Sequence, residues 1–279
     1  MLRRTLLHAA GAAGVATLAT SRRARADDIL ATIKARGTLI VGVEAAYVPF
    51  CFFKDGKIVG YDPDITALGA ARLGVTPREV DTAWNGIIPA LYEKKFDCII
   101  SGMTITKARS EKVLFSMPYA DASNVMFLRA DDTRFRDGDD MSGKIVGVQL
   151  GGAAANVVKN FELKLKAKGL PGYKEVKEYE HYPEAYQDLL NKRLDVVVNT
   201  ISTLIVVMHD APGKFKILPG VSDIKAYFGM AFRKEDVALQ QVFNTLLATM
   251  KQDGRLTELQ KKWFGTAMET PNTIPAEMP

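Results

Sequence analysis

The chain has 279 residues, of which 47% are apolar, enough to bury one large hydrophobic core or two moderate ones. Its formal charge of +5 comes from 37 Lys and Arg against 32 Asp and Glu, and five of the arginines lie within the first 26 residues, which contain no Asp, Glu or Lys. Because basic and acidic residues are equal in number in the remainder, the charge gives no support for a nucleic-acid-binding function.

The first 26 residues predict an export signal. The basic start MLRR precedes an apolar stretch of roughly 15 residues, and ARA before DD fits cleavage after Ala26. A transmembrane helix needs about 20 apolar residues, so this stretch is too short to be one. The paired Arg3 and Arg4 favour a twin-arginine type of signal. The segment has no cysteine for a lipid anchor, so we expect the mature chain to be free in the periplasm.

The segment after the signal predicts a β-α-β-α-β unit. The strand TLIVGV precedes a helix over DPDITALGAARLG, with Asp62 as the predicted N-cap, Pro63 at the first helical position and Gly74 as the stop. REVDTA is a second predicted strand. NGIIPALYEKKF is a second helix capped by Asn85, and DCIISG is a third strand.

A second unit of the same kind follows a polar stretch. Its predicted elements are the strand KIVGVQL, the helix GAAANVVKNFELKLKAKG, the strand YKEVKEY, the helix PEAYQDLLNKR and the strand LDVVVNT. Two such units predict an α/β fold of two lobes, each with a mostly parallel sheet.

The last part of the chain has one strand-like run, KAYFGMAFR, and two amphipathic helices without a sheet of their own. If this run returns to the first lobe, two crossover strands join the lobes, near residues 119–128 and 224–230, and form a hinge. We therefore expect the following division: residues 27–122 with 226–279 in the first lobe, and residues 123–225 in the second.

Candidate ligand-binding residues follow from the fold class. Ligands of open α/β sheets bind beyond the carboxyl ends of the strands. This rule selects Glu44, Tyr47, Ser101 to Thr104, Gly151 to Ala153 at a helix N-terminus, and Thr200. Arg109 can reach the same cleft from the segment behind Thr104.

Four segments carry a resemblance to a known family. VGVEAAYVPFCFFKDGKIVGYDPDI, WNGIIPALYEKKFDCIISGMTITKARSEKVLFSMPY, GKIVGVQLGG and MKQDGRLTELQKKWFG are similar to the polar amino-acid-binding proteins of bacterial ABC importers. The resemblance covers roughly residues 37 to 265, and the SGMTIT-x-x-R segment is its most specific part. It implies the type II periplasmic binding protein fold, in which two lobes close on a ligand.

The resemblance also implies a role for individual positions. Arg109 matches the arginine that holds the ligand's carboxylate in a bidentate pair, and Thr104 adds a hydroxyl. Tyr47 and Trp84 match aromatic positions around the ligand's side chain, and Phe52 is a further aromatic candidate. The other implied positions are Glu44 for basic groups, Ser101, Gly102 and Met103 for backbone contacts, Gly152 and Ala153 for amides at a helix N-terminus, and Gln149 for the side-chain pocket.

One position departs from the family pattern. Amino-acid binders of this family carry an aspartate five residues past the Asp of R-x-D, and it pairs with the ligand's ammonium. Counted from Asp195, that position is Thr200, preceded by Asn199. A buried ammonium needs a paired charge or full hydrogen bonding. Either Glu44 holds the nitrogen, or Thr200 and carbonyls share it, or the ligand's nitrogen is alkylated, acylated, cyclic or absent.

The function implied by the resemblance is that of a soluble solute-binding component of an ABC transporter. It would bind an amino acid or derivative through its carboxylate, as a monomer without a cofactor, and deliver it to an inner-membrane permease. Two alternatives stay open. One is an enzyme like the cyclohexadienyl dehydratases of the same fold, for which Glu44 is the evident acid or base. The other is a ligand-binding partner of a signalling receptor.

The histidines and cysteines suggest no further chemistry. His181 and His209 have no metal-ligand spacing between them, so we expect no metal site. Cys51 and Cys98 could pair in an exported protein, but we favour buried, unpaired thiols.

Overall fold

The computed structural model describes residues 29–279, and the predicted export signal over residues 1–26 lies outside the described residues. The strands are β1 (Thr38–Val43), β2 (Ala46–Tyr47), β3 (Cys51–Lys54), β4 (Lys57–Val59), β5 (Thr76–Asp81), β6 (Cys98–Ile99), β7 (Leu114–Phe115), β8 (Ala120–Asp121), β9 (Asn124–Arg129), β10 (Ile145–Gln149), β11 (Glu175–Tyr179), β12 (Val196–Thr200), β13 (Phe215–Leu218), β14 (Tyr227–Phe228) and β15 (Ala231–Phe232). The helices are α1 (residues 29–36), α2 (Tyr61–Leu73), α3 (Ile87–Tyr92), α4 (Lys107–Ser110), α5 (Ala153–Ala167), α6 (Tyr182–Leu190), α7 (Ile201–Asp210), α8 (Val237–Gln252) and α9 (Arg255–Phe264).

Two five-stranded sheets form the centres of two α/β lobes, as the sequence predicts. Their strand orders are β5-β1-β6-β15-β7 and β11-β10-β12-β9-β13. In each sheet the first three strands are parallel, the fourth is antiparallel to its neighbours, and the fifth therefore runs with the first three. The interior strands β1 and β10 are nearly continuous apolar runs, because helices cover both faces of a sheet of this kind.

The two crossover segments lie side by side between the lobes. β8 pairs antiparallel with β14, with Ala120 opposite Phe228 and Asp121 opposite Tyr227. After β8 the chain enters the second sheet at β9, and after β14 it enters the first sheet at β15. Two short paired strands allow rotation of one lobe against the other, since few residues need to change their backbone angles.

The predicted strand over KAYFGMAFR is divided in two. β14 ends at Phe228 and β15 begins at Ala231, so Gly229 and Met230 stand between them. Gly229 donates its N–H to the Met103 carbonyl (3.0 Å), outside either ladder. A Cβ on Gly229 would lie 2.9 Å from the side chain of Ile105, so glycine allows this close approach where the chain passes from the hinge into the first lobe.

The predicted capping of α2 by Asp62 is wrong. The helix begins at Tyr61 with Gly60 as its N-cap residue, and no side chain caps it. Asp62 is fully buried. Its carboxylate accepts hydrogen bonds from the Gly102 N–H (2.8 Å) and the Tyr119 hydroxyl (2.8 Å), so it serves the tertiary structure rather than the helix end. The predicted stop at Gly74 is correct, with the residue in the left-handed conformation.

Both cysteines are buried and neither forms a disulfide. Within residues 29–279, no helix is both long and apolar enough to span a bilayer.

A substitution at the point where α2 packs against α8 tests the packing of the first lobe. A Cβ on Gly69 would lie 2.5 Å from the ring of Phe243. Phe243 is fully buried and its ring centroid lies 5.7 Å from that of Phe232, so it has little room to move. We expect Gly69→Ala to lower the free energy of unfolding by about 1–3 kcal/mol, as overpacking does. Urea unfolding measures it.

The matched control is Gly86→Ala. Gly86 has φ −106° and an added Cβ would have no atom within 4 Å. We expect its unfolding free energy to stay within about 0.5 kcal/mol of wild type. Equal effects of the two substitutions would contradict the packing interpretation.

Candidate functional site

A cavity of about 330 Å³, measured with the part that opens to solvent, lies between the lobes where the carboxyl ends of the parallel strands meet. The residues that line it from the first lobe and the hinge are Glu44, Tyr47, Trp84, Gly102, Thr104, Arg109 and Phe228. Those from the second lobe are Asn124, Gln149, Gly152, Ala153, Ala154, Tyr182, Asn199 and Thr200.

Four candidates do not line this cavity: Phe52, Ser101, Met103 and Gly151. Phe52 lies on β3, half-buried and edge-on to Trp263 of α9, with 6.0 Å between the ring centroids. Ser101 accepts the Glu44 N–H on its hydroxyl (2.9 Å) and thereby fixes the backbone next to the site. Met103 is fully buried among the apolar residues behind the segment. Ser101 and Met103 therefore support the site without facing the cavity.

Five lining residues were not candidates from the sequence. Asn124 begins an antiparallel strand, so its start, rather than its end, faces the cleft. Tyr182 opens α6, and Phe228 lies on the hinge strand β14. Asn199 and Ala154 are direct neighbours of predicted residues, and a wider reading of those two turns would have included them.

Arg109 places a positive charge at the cavity without an acidic partner. Its guanidinium donates to the Thr104 carbonyl (3.1 Å) and, across the cleft, to the Gly151 carbonyl (3.0 Å). It also lies over the Trp84 ring, 5.2 Å from the centroid. Burial lowers the pKa of Arg109 to about 10, and no carboxylate in the described residues contributes to raising it again. The guanidinium is still charged at neutral pH, so an anion bound in the cavity would compensate its charge.

The N-terminus of α5 faces the same space. Gly152 is its extended N-cap residue and provides no side-chain cap. Gly151, with φ +70°, turns the chain so that its carbonyl accepts from Arg109 and from Trp84 Nε1 (3.3 Å). The first N–H groups of a helix lack intrahelical partners and carry partial positive charge, so they add a second feature favourable to an anion.

Tyr47 joins the lobes on the other side of the cavity. Its hydroxyl lies 2.8 Å from Thr200 Oγ1 and donates to Asn199 Oδ1 (3.1 Å). The ring also covers Gly102, where an added Cβ would lie 2.9 Å from it. Asn199 in turn donates to the Tyr186 hydroxyl (2.7 Å). Thr200, at the position of the expected aspartate, and its neighbour Asn199 are both neutral, and these hydrogen bonds hold them in place in the closed arrangement.

Glu44 is the one acidic residue that lines the cavity. It is 3% exposed, and desolvation raises its pKa despite hydrogen bonds that favour the ionised form. Gln149 Nε2 and His181 Nδ1, both from the second lobe, each lie 2.7 Å from Glu44 Oε1. The cavity therefore has a cationic end at Arg109 and an anionic group at Glu44. No cluster suited to a metal ion occurs among residues 29–279.

Comparisons with known proteins agree with this geometry. The family described as bacterial extracellular solute-binding proteins, family 3, matches residues 39–266 of the chain. The L-cystine-binding protein TcyJ of Escherichia coli (strain K12) is 32% identical over 244 residues, which cover 86% of this chain and 87% of the relative. The L-arginine-binding protein of Pseudomonas aeruginosa is 32% identical, over 84% of this chain and 91% of the relative.

Among solved structures, an ancestral amino acid-binding protein, AncCDT-1, aligns with a TM-score of 0.76 and 34% identity. The alignment covers 84% of this chain and 99% of that one. It is described as a precursor of cyclohexadienyl dehydratase. The likeness supports the type II periplasmic binding protein fold.

Asp62, behind Gly102, gives a testable pH dependence of stability. Burial raises its pKa from 3.8 to about 7. A carboxyl whose pKa is higher in the folded state binds a proton on folding, so stability rises as the pH falls through that value. We expect Asp62 to add about 2–3 kcal/mol to the free energy of unfolding between pH 8 and pH 5.

Urea unfolding at the two pH values measures this contribution, and Asp62→Asn is the control. The amide can keep both hydrogen bonds, with Tyr119 accepting from it, but cannot titrate. Between pH 8 and pH 5, the free energy of unfolding of this variant should rise by about 2–3 kcal/mol less than that of the wild type. An identical pH dependence in the variant and the wild type would contradict the assignment to Asp62.

Proposed function

The chain belongs to the bacterial extracellular solute-binding proteins of family 3 and is a solute-binding component of an importer, and on this premise we propose that it captures an amino acid or amino-acid derivative by its carboxylate between the two lobes. The observation that carries the proposal is the charge of Arg109, which faces the cavity without an acidic partner among the described residues. A ligand carboxylate would supply that partner.

The carboxylate end of the ligand is proposed to lie between Arg109 and the first amides of α5. An arginine fork matches the two oxygens of a carboxylate, and the helix N-terminus stabilises the same charge from the opposite lobe. The Thr104 hydroxyl lines the cavity next to Arg109 and can add a donor. Since the two positive features come from different lobes, an anion between them favours the closed form.

The nitrogen end is proposed to lie at Glu44. Thr200 and Asn199 are neutral and already bonded to Tyr47, so they offer no charge to a ligand ammonium. Glu44 Oε2 makes no hydrogen bond to the described residues, and Glu44 lines the cavity. A positively charged nitrogen there would gain a charge-assisted hydrogen bond in place of its hydration. The side chain of the ligand would pack against Tyr47 and Trp84.

Ligand exchange is proposed to require opening of the lobes. Four lining residues of the first lobe each form a hydrogen bond to a residue of the second lobe: Glu44, Tyr47, Trp84 and Arg109. These contacts close the cavity, and the paired strands β8 and β14 are the place where rotation can separate them. We further propose that the closed form acts as a periplasmic monomer that docks on an inner-membrane permease.

The alternatives are decided by simple assays. We propose that the protein is not an enzyme, since the relatives that it matches are named as binding proteins and Glu44, which elimination chemistry would need as its acid or base, is assigned to the ligand's nitrogen. Turnover of prephenate or arogenate would contradict this. Retention of a signalling receptor instead of a permease in a pull-down would favour the receptor-partner alternative.

A thermal-shift screen tests the proposed ligand class. The purified mature chain is unfolded and refolded to remove any carried-over ligand, then heated with amino acids and with their nitrogen-modified derivatives. A ligand at 1,000 times its Kd stabilises the folded state by about 4 kcal/mol. A large shift with an amino acid or derivative supports the proposal, whereas silence from all carboxylates contradicts it.

Substitution of Arg109 tests the proposed carboxylate contact. Arg109→Ala leaves a buried carboxylate without its charged partner, which costs about 3–5 kcal/mol. We therefore expect the Kd to rise about 150- to 5,000-fold, as measured by calorimetry with the ligand that the screen identifies.

Arg72→Ala is the matched control, since Arg72 is an exposed arginine in the last turn of α2. It should leave the Kd unchanged. An unchanged Kd in the Arg109 variant would exclude Arg109 as the carboxylate partner.

A further inference from the structure

One oxygen of Glu44 is occupied by the second lobe and the other is free. Gln149 Nε2 and His181 Nδ1 both lie 2.7 Å from Oε1. Gln149 Nε2 also donates to the Glu180 carbonyl (3.1 Å), which fixes its orientation. Oε2 makes no hydrogen bond to residues 29–279. A ligand nitrogen at Oε2 would therefore share the carboxylate with His181.

His181 can exchange its proton with solvent while it contacts Glu44. Its side chain is 36% exposed, and Nε2 makes no hydrogen bond within the described part of the chain. The hydrogen bond to Glu44 is the largest cause that raises the pKa of His181, against the opposing effect of partial burial. Glu180 and Glu184 add negative charge near His181, and Asp81 adds it near Glu44.

We propose that His181 is a specificity-determining residue that acts through Glu44. Protonated His181 neutralises Glu44 across the cleft and disfavours a ligand with a positively charged nitrogen at this carboxylate. Neutral His181, with its proton on Nδ1, still donates a hydrogen bond to Glu44 but does not neutralise it. The negative charge of Glu44 can then pair with a cationic nitrogen of the ligand. This inference rests on the proposed function, because it takes Glu44 as the group that holds the ligand's nitrogen.

The direction of the effect follows from linkage. Two cations that share one carboxylate repel each other, so a cationic ligand nitrogen lowers the pKa of His181 in the complex. A ligand with an uncharged group in the same place does not. Coupling between two binding events is reciprocal. The affinity for the cationic ligand, relative to the uncharged one, must therefore fall as His181 becomes protonated.

The experiment compares two pairs of probes at pH 8 and pH 6 by calorimetry. L-Arginine is paired with L-citrulline, in which a neutral urea replaces the side-chain guanidinium. L-Glutamine is paired with its 2-hydroxy acid, in which a hydroxyl replaces the ammonium. One pKa unit corresponds to a tenfold change in relative affinity. One pair has its altered group at Glu44. For that pair, we expect the affinity of the cationic member relative to the uncharged member to be about tenfold lower at pH 6 than at pH 8.

Two variants separate titration from structure. His181→Gln keeps a donor for Glu44 but cannot titrate, so its preference should match that of wild type at pH 8 at both pH values. His181→Lys carries a permanent charge, so its preference should match that of wild type at pH 6. His209→Gln is the control for loss of a histidine, because His209 is exposed on α7 and bonded only to Asp210. Asp62, whose pKa is about 7, titrates alike in all of them.

The outcomes distinguish this inference from the function on which it rests. If the probes bind but neither pair changes its relative affinity with pH, the role of His181 is overturned. The same holds if His181→Gln keeps the full pH dependence. If none of the four probes binds at either pH, the inference is overturned, whereas the proposed function fails only if the thermal-shift screen finds no carboxylate ligand.

Discussion

The charge on Arg109 is the constraint on which the site depends. Its guanidinium is enclosed by the Trp84 ring and by carbonyls from both lobes, and carbonyl dipoles compensate a charge only in part. Desolvation of a cation is costly unless an anion accompanies it. Under the proposed function, a ligand carboxylate supplies this anion, so ligand binding and closure of the lobes over Arg109 are linked by one electrostatic requirement.

The first lobe holds its half of the site in place through local structure. Thr106 caps α4 by accepting the Arg109 N–H (3.2 Å), which fixes the backbone from which the guanidinium extends. On the opposite side, the buried carboxylate of Asp62 binds the Gly102 N–H. This amide is therefore already satisfied within the protein. The second lobe supplies the groups that complete the site on closure.

Most of this site can be predicted from the sequence because one geometric rule controls it. The carboxyl ends of parallel strands, with the turns that follow them, select Glu44, Gly102, Thr104 and Thr200. The rule fails where strand direction or long-range pairing is not visible in the sequence. It misses Asn124 because the strand that begins there is antiparallel. Asp62 looks like a helix cap in the sequence, because its actual partner Gly102 lies 40 residues away along the chain. Phe52 does not line the cavity, since its ring packs edge-on against Trp263 of α9.

The most direct test of the proposed site is a crystal structure of the mature chain with the ligand that the screen identifies. We expect a closed form in which the ligand's carboxylate contacts the Arg109 guanidinium and the first amides of α5, with its nitrogen at Glu44. A ligand bound outside this cavity, or one that presents a group other than an acid to Arg109, would contradict it.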